Sequence, residues 1–135
     1  LVNRNVSTAL WRPRGTPRLV TLTNGRYLDG WLAWPTEVTV WPGAGGRRTG
    51  AICMTLEMPA GVNAVVDVTA PGVKRAVALG SGAVKSIALP VDTTKPWRLQ
   101  LKARRPILLP DNRVVSTRST PPRFVEGKAS ASTCR

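Results

Sequence analysis

The stretch YLDGWLAWPTEVTVW, residues 27–41, combines aromatic rings with carboxylates and is the first place to look for chemistry. It holds three of the chain's five tryptophans, the only tyrosine, and the two acids Asp29 and Glu37. Two carboxylates held across a cleft could hydrolyse a glycoside, and an exposed ring could stack on the apolar C–H face of a sugar. The third interpretation is structural, with two strands placing these large side chains in a core.

The residue inventory argues against catalysis and against a metal site. The chain has no histidine, so it lacks the commonest general base and the commonest metal ligand. Its two cysteines, Cys53 and Cys134, are far apart in sequence, and no acidic loop has the spacing of a calcium site. With 20 basic against 7 acidic residues, Asp29 and Glu37 are each expected to pair with an arginine. We therefore predict a protein with no catalytic residues, no metal and no cofactor.

Alternation along the two expected strands separates a core face from an outer face. Three apolar residues share the face expected to be buried: Leu28, Leu32 and Trp34. On the opposite face lie Tyr27, Asp29 and Trp31. Trp41, on the next strand, is expected in the same outer layer. This layer is either exposed, as a sugar-stacking surface requires, or covered by the N-terminal residues with Trp11 packing against it.

Basic side chains near the rings complete the predicted ligand site. Residues 42–50, PGAGGRRTG, are expected to form a flexible, basic loop, which lacks the Lys-Ser/Thr pair of a phosphate-binding P-loop. The residues that we expect to bind a ligand are Arg26, Tyr27, Asp29, Trp31, Trp41, Arg47 and Arg48. Binding would come from ring stacking and a few hydrogen bonds.

The formal net charge of +13 favours an anionic partner, such as an acidic glycan, an anionic lipid or nucleic acid. The basic residues are spread along the chain, and no run contains five or more of them. Such a run is the usual sequence signature of a nucleic-acid-binding segment. Nucleic acid is therefore the less favoured partner.

Turn and alternation signals predict about eight or nine short strands and no helix. Asn24-Gly25, the strongest short hairpin signal, is expected to join strands at 18–23 and 26–33. Further strands are expected at 37–41, 51–58, 62–70, 73–80, 83–91, 97–103 and 113–119, with a short apolar segment at 106–110. One-sided alternation is typical of antiparallel sheets. We therefore predict an all-β, antiparallel, jelly-roll-like β-sandwich, with a closed barrel as the alternative.

The two ends of the chain are expected to lie outside the sandwich domain, which spans residues 18–125. Residues 1–17 are a lead-in interrupted by proline and glycine, and residues 126–135 are a flexible tail. The two cysteines permit one disulfide, but sequence alone does not determine the pairing. A buried free Cys53 and an exposed free Cys134 are the simpler expectation.

Four segments together resemble a known family: NGRYLDGWLA, VTVWP, CMTLEMPAG and PWRLQLKARRPILLPDNRVVSTRSTPPRFV. Over roughly residues 18–125 the chain is similar to the C-terminal extracytoplasmic β-sandwich of polytopic membrane glycosyltransferases of high-GC bacteria. The resemblance implies an accessory module that binds a glycan or steadies the membrane enzyme. It implies no catalytic residue in this chain, because in such enzymes catalysis belongs to the membrane part. The first residue is Leu rather than Met, which also suggests a piece of a longer protein.

Three functional hypotheses follow. The first is a non-catalytic, extracytoplasmic accessory module of a larger cell-envelope protein, associated with the membrane through its parent chain, which binds a glycan or an anionic envelope component. The second is a basic nucleic-acid-binding β-domain, which predicts a continuous arginine stripe on one sheet face. The third is a purely structural domain that docks onto the remainder of its membrane protein and exposes a large apolar patch when isolated.

Overall fold

The computed structural model describes residues 20–42, 47–127 and 134, and within these residues it contains ten strands and no helix. The strands are β1 (Val20–Arg26), β2 (Trp31–Trp41), β3 (Arg48–Glu57), β4 (Ala64–Ala70), β5 (Val73–Leu79), β6 (Val84–Thr93), β7 (Trp97–Ala103), β8 (Ile107–Leu108), β9 (Val114–Ser119) and β10 (Arg123–Glu126). Their pairings are antiparallel, so the predicted all-β, antiparallel, sandwich-like fold is confirmed. The predicted lead-in at 1–17 and most of the predicted tail lie outside the described residues.

One antiparallel sheet curls until its two halves face each other across a core. The five-stranded half has the order β1–β2–β7–β4–β5. In the second half, β3 pairs with β6 on one side and with β10 and β9 on the other, and β8 pairs with β9. Strand β2 belongs to both halves, because residues 31–33 pair with β9 whereas residues 36–40 pair with β7.

The core follows the period of two that the sequence predicts. The inward side chains are Trp97, Leu99 and Leu101 of β7 and Ile52, Met54 and Leu56 of β3, and all six are buried. Burying each large apolar side chain contributes about 1.5–3 kcal/mol to folding. Their outward neighbours on β7 are exposed, so this strand has one buried apolar face and one solvent-exposed polar face.

The hairpin turn between β1 and β2 is not at Asn24-Gly25, and that prediction is wrong. Strand β1 continues to Arg26, which still pairs with Leu32. The turn is made by residues 27–30, where the Gly30 amide donates to the Tyr27 carbonyl at 2.9 Å. Gly25 instead occupies a β-bulge at φ +110°, and a Cβ there would lie 3.1 Å from Thr36 Oγ1. The dipeptide supplies a positive φ, but the longer pairing of β1 with β2 moves the turn.

Two of the three residues of segment 27–41 that were predicted to lie in the core do not, so these predictions are also wrong. Leu32 is fully buried as predicted, but Leu28 sits in the turn and is completely exposed. Trp34 is only half-buried. It lies where β2 changes partners between the two halves, and there the in–out alternation breaks. The Trp34–Pro35 peptide bond is cis.

The C-terminal region is attached to the second half of the fold more firmly than predicted. Residues 123–126 form β10, which pairs with residues 50–53 of β3. Cys134 forms a disulfide with Cys53, so the expectation of two free thiols is wrong. Sequence reasoning missed the bridge because no local pattern shows that Cys134, 81 positions further along the chain, lies beside Cys53.

Candidate functional site

The structure divides the seven predicted ligand-binding residues among three places. Arg26, Tyr27, Asp29 and Trp31 remain together at the β1–β2 turn. Trp41 is at the opposite end of the 11-residue strand β2 from Trp31, roughly 33 Å away along an extended strand. The sequence predicts two strands at this point, but β2 runs through Pro35 as one strand. It therefore separates rings that the prediction placed in one layer.

The two arginines of the predicted basic loop lie at the start of β3. Arg47 makes a two-point ion pair with Asp92, with both N···O distances at 2.6 Å. The hydrogen bonds from Arg47 hold the pKa of Asp92 below its ordinary value. Arg48 begins β3 opposite Thr93 of β6. Arg47 therefore already has a carboxylate partner, which reduces its availability to a ligand.

Arg113 joins the β1–β2 turn to the turn before β9. Its Nη1 and Nη2 donate to the two oxygens of Asp29 at 3.1 and 2.7 Å, and its Nε donates to Asp111 at 2.9 Å. The guanidinium also lies 4.6 Å from the centre of the Tyr27 ring. This arrangement gives Asp29 and Tyr27 a structural role, namely to fix one hairpin against another.

The glycosidase interpretation of Asp29 and Glu37 finds no support in this geometry. The hydrogen bond from Arg113 holds the pKa of Asp29 below its ordinary value, so the carboxyl group is ionised at neutral pH and cannot act as a general acid. Glu37 lies on the five-stranded half, opposite Asn24 and Gln100. A glycosidase needs both carboxylates across one cleft, whereas these two occupy different parts of β2 and its turn.

A small cleft beside the β1–β2 turn has a volume of about 260 Å³. Arg26 and Asp29 line it together with Glu57 and Arg118, which form an ion pair at 3.5 Å. Arg26 also donates to the carbonyl of Ser119 at 3.0 Å. Two cations and two anions balance in this cleft, so it offers a charged ligand little net attraction.

The Asp29–Arg113 pair predicts a specific dependence of stability on pH. Because the folded-state pKa of Asp29 lies below its ordinary value of 3.8, the pair contributes stability above that pH. The contribution is lost as pH falls through the folded-state pKa. We expect the melting temperature of the wild type to exceed that of Asp29→Asn at pH 7, and the gap to close as the solution is acidified below about pH 4.

Thermal unfolding between neutral pH and pH 2 measures this gap. Glu37→Gln is the matched control, because Glu37 is exposed and forms no ion pair with any described residue. Its melting curve should follow the wild type at every pH. A wild type and an Asp29→Asn variant that lose stability in parallel would contradict the role given to this pair.

The outer face of the five-stranded half carries a row of exposed polar residues, one from each strand. In the order β1, β2, β7, β4, β5 they are Asn24, Glu37, Gln100, Thr69 and Lys74. Neighbouring strands are about 4.8 Å apart, so the row spans roughly 19 Å. A face of this length can contact several units of an extended ligand.

A groove of about 480 Å³ lies next to this row, and we call it the Trp34 groove. Its lining consists of Trp34, Asp67, Thr69, Lys74, Gln100, Lys102, Ala103 and Arg104. The Trp34 indole Nε1 donates to the Ala103 carbonyl at 2.7 Å, which fixes the ring at the groove wall. The Lys102 Nζ lies 4.5 Å from the ring centre. The groove therefore combines one oriented aromatic ring with hydrogen-bonding groups from three further strands.

These groups suit a ligand rich in hydroxyl groups. The Gln100 side chain offers two donors and an acceptor, Thr69 offers a hydroxyl, and Lys74 offers an ammonium group. Small-molecule sites commonly pair an apolar surface with a few placed polar groups in a volume of about 300–1,000 Å³. A ring-shaped ligand could stack on Trp34 once the Lys102 ammonium moves aside, and the polar groups could then hydrogen-bond its edge. The one carboxylate in the lining, Asp67, is already paired with Arg104.

Sequence reasoning missed this groove for two reasons. Alternation assigned Trp34 to the core, because the change of partners in β2 leaves no sequence signal. The polar residues lie on β4, β5 and β7, and only strand register places them side by side. The one available signal was the outward set of WRLQLKA, in which Arg98, Gln100 and Lys102 alternate with buried residues.

The described part of the chain contains no apolar helix of membrane-spanning length. No protein-family model, curated protein or solved structure matches the chain.

Proposed function

We propose that this chain is a non-catalytic carbohydrate-binding module and that the Trp34 groove receives the sugar. The observation that carries the proposal is the position of Trp34 in a groove beside Gln100, Thr69 and Lys74. A pyranose presents an apolar C–H face to an aromatic ring and a rim of hydroxyls to polar side chains. The groove offers both kinds of partner at once, whereas Trp41 is exposed at the far end of β2.

Lys102 is compatible with sugar binding although its ammonium lies over the ring. An exposed cation–π contact is worth about 0.5–1 kcal/mol, and the lysine stem is flexible. A sugar that stacks on Trp34 would displace the ammonium toward the rim of the groove. There the same ammonium can donate to a ligand oxygen, so part of the lost contact is recovered.

We also propose that the module is part of a longer protein. A larger cell-envelope protein, such as a membrane glycosyltransferase, would carry the module outside the cytoplasm. The Cys53–Cys134 disulfide supports a location outside the cytoplasm, and the similarity of the sequence to the C-terminal domain of membrane glycosyltransferases suggests the kind of parent protein. Structural disulfides persist in oxidising compartments and are rare in the cytosol.

Two alternatives fit the described surface less well. A nucleic-acid-binding domain is expected to present a continuous arginine stripe. Pairing with carboxylates lowers the charge that Arg47, Arg104, Arg113 and Arg118 offer to such a partner, and it leaves Arg98 and Arg105 among the exposed arginines without an ion pair in the described part of the chain. A docking domain requires a large apolar patch. The exposed large apolar residues described form small groups at separate places, namely Tyr27 and Leu28 in the β1–β2 turn, Leu108 paired with Val114, Leu22 and Trp41 on β1 and β2, and Val84 on β6.

A glycan array with single tryptophan variants tests the proposal. We expect Trp34→Ala to weaken binding of any retained glycan by about tenfold or more, because removal of a central aromatic anchor costs most of the local binding energy. Trp41→Ala is the matched control on the same strand, and Trp31→Ala tests the surface that the sequence predicted. Both should bind as the wild type does.

A second variant distinguishes a loss of binding from a loss of folding. Trp34 also bonds to Ala103, so Trp34→Ala could perturb the strand. Gln100→Ala changes an exposed side chain and should weaken binding while the melting temperature stays unchanged. Retained binding in both Trp34→Ala and Gln100→Ala, or no glycan bound by the wild type, would overturn the proposal.

A further inference from the structure

The charges in the Trp34 groove do not balance. Its lining includes three cations, Lys74, Lys102 and Arg104, and one anion, Asp67. Asp67 is already paired, because the Arg104 Nε donates to its two oxygens at 3.1 and 3.2 Å. Among the described residues, no carboxylate lies within salt-bridge distance of Lys74 or Lys102. The groove therefore carries two uncompensated ammonium groups beside an aromatic ring.

The two lysines approach the same place from opposite sides. Strand β4 lies between β7, which carries Lys102, and β5, which carries Lys74. Lys74 is opposite Thr69, and Lys102 is opposite Asp67. The strand spacing and a two-residue offset put their Cα atoms roughly 12 Å apart. Both flexible stems can therefore reach one anionic group held over β4, with the Thr69 hydroxyl beneath it.

The positive surface continues beyond this groove. A second cleft of about 510 Å³, here the Arg105 cleft, is lined by Arg104 and Arg105 together with Asn63, Gly80 and apolar residues of β4 and β5. Arg104 lines both depressions, so they are adjacent. Arg105 is exposed, and among the described residues it has no carboxylate partner. A ligand long enough to extend from the Trp34 groove beyond Arg104 would therefore also lie near the cation of Arg105.

We propose that the ligand of the Trp34 groove is an acidic glycan, with a carboxylate or phosphate held by Lys74 and Lys102 and a further acidic unit near Arg105. The proposal rests on the carbohydrate-binding function and specifies its substrate class. Two unmatched cations in one groove raise the local concentration of an anion and repel a cation. Glu37, next along the polar row from Gln100, confines the anionic group to the β4–β5 side of the groove.

Glycans that differ only in an acid group provide the test. One pair is an oligogalacturonate and its methyl ester, which share a sugar backbone and differ in charge. The other is a phosphorylated oligomannoside and its unphosphorylated parent, so that the two pairs separate carboxylate from phosphate recognition. A short oligothymidylate provides an anion without the sugar-stacking geometry. Each is titrated calorimetrically at low and at physiological salt.

Lys74→Gln/Lys102→Gln removes the two unmatched charges while keeping long polar side chains. Lys85→Gln/Lys95→Gln removes the same charge from exposed residues of β6 and the turn that follows it. We expect the wild type to bind the acidic member of at least one pair about tenfold more tightly than its neutral partner, with the advantage shrinking as salt rises. The groove variant should lose this advantage, and the control variant should keep it.

The possible failures point to different conclusions. Equal affinity for acidic and neutral partners would overturn the acidic-glycan proposal and leave carbohydrate binding in place. Failure to bind any member of either pair would overturn the acidic-glycan proposal, and carbohydrate binding would fall with it only if the glycan array also retained nothing. Tighter binding of the oligothymidylate than of any acidic glycan, reduced equally by both lysine variants, would replace both with non-specific polyanion binding.

Discussion

Cys53→Ala/Cys134→Ala is expected to lower the free energy of unfolding by about 2–4 kcal/mol. The disulfide joins residues 81 positions apart, and a cross-link that closes a long loop removes much conformational freedom from the unfolded chain. The bridge also holds Cys134 against the second half, where its backbone carbonyl accepts a hydrogen bond from Arg123 at 3.2 Å. Urea denaturation followed by tryptophan fluorescence measures the change.

The reduced wild type is the control for this prediction. In excess reductant its unfolding curve should approach that of the double variant, whereas the double variant should not respond to reductant. A double variant within about 0.5 kcal/mol of the oxidised wild type would show that the bridge does not constrain the chain, because 0.5 kcal/mol is the usual size of a neutral surface change.

Gly50→Ala is expected to cost about 1–3 kcal/mol, the usual cost of overpacking a filled site. Gly50 is buried in β3, where the backbone of β10 passes closely over it. A Cβ at this position would overlap the Val125 carbonyl oxygen and lie 2.6 Å from the Phe124 ring. The backbone oxygen cannot rotate away as a flexible side chain could, so β10 must shift. We expect faster amide hydrogen exchange in residues 123–126 as well as lower stability.

Gly80→Ala is the matched control, since a Cβ at Gly80 would meet no atom within 4 Å. The substitution is the same and the surroundings are open, so little stability should be lost. Equal effects of the two substitutions, with unchanged exchange in β10, would contradict the close packing of this strand on β3.

Strand positions were largely predictable because alternation is a local signal. Residues 97–103 and 51–58 alternate cleanly, and their apolar members are buried as expected. The turn at residues 27–30 was not predictable in the same way. Asn24-Gly25 is a strong local signal for a turn, but the pairing of Arg26 with Leu32 outweighs it. Strand β10 was missed because its four residues show too little pattern and depend on pairing with β3.

The candidate site was less predictable than the fold because it depends on register. The sequence shows that Gln100 and Lys102 point outward, but only pairing with β4 and β5 places them beside Thr69 and Lys74. The partial exposure of Trp34 arises because β2 changes from pairing with β9 to pairing with β7 near this residue. The seven residues chosen from sequence were selected by strand alternation and by closeness along the chain, and the structure keeps four of them together at one turn.

The positions of these four residues explain why segment 27–41 resembled a binding surface. Asp29 and Tyr27 are placed beside each other by their shared partner Arg113, which joins two hairpins. Nearby rings and acids at a turn can therefore reflect the fixing of loops rather than the binding of a ligand. The same stretch still supplies Trp34 to the groove, at the position that alternation assigned to the core.

The indole signals of the tryptophans test the central claim most directly. The chain has five tryptophans, and the Nε1–H of Trp34 reports on the groove because it donates to Ala103 at the groove wall. In ¹H–¹⁵N spectra recorded during titration with the oligogalacturonate and the phosphorylated oligomannoside, we expect the Trp34 indole signal to shift and saturate with at least one of them. The Trp31 and Trp41 signals should stay in place. A saturable shift at Trp31 or Trp41, with Trp34 unmoved, would contradict the assignment of the groove as the binding site.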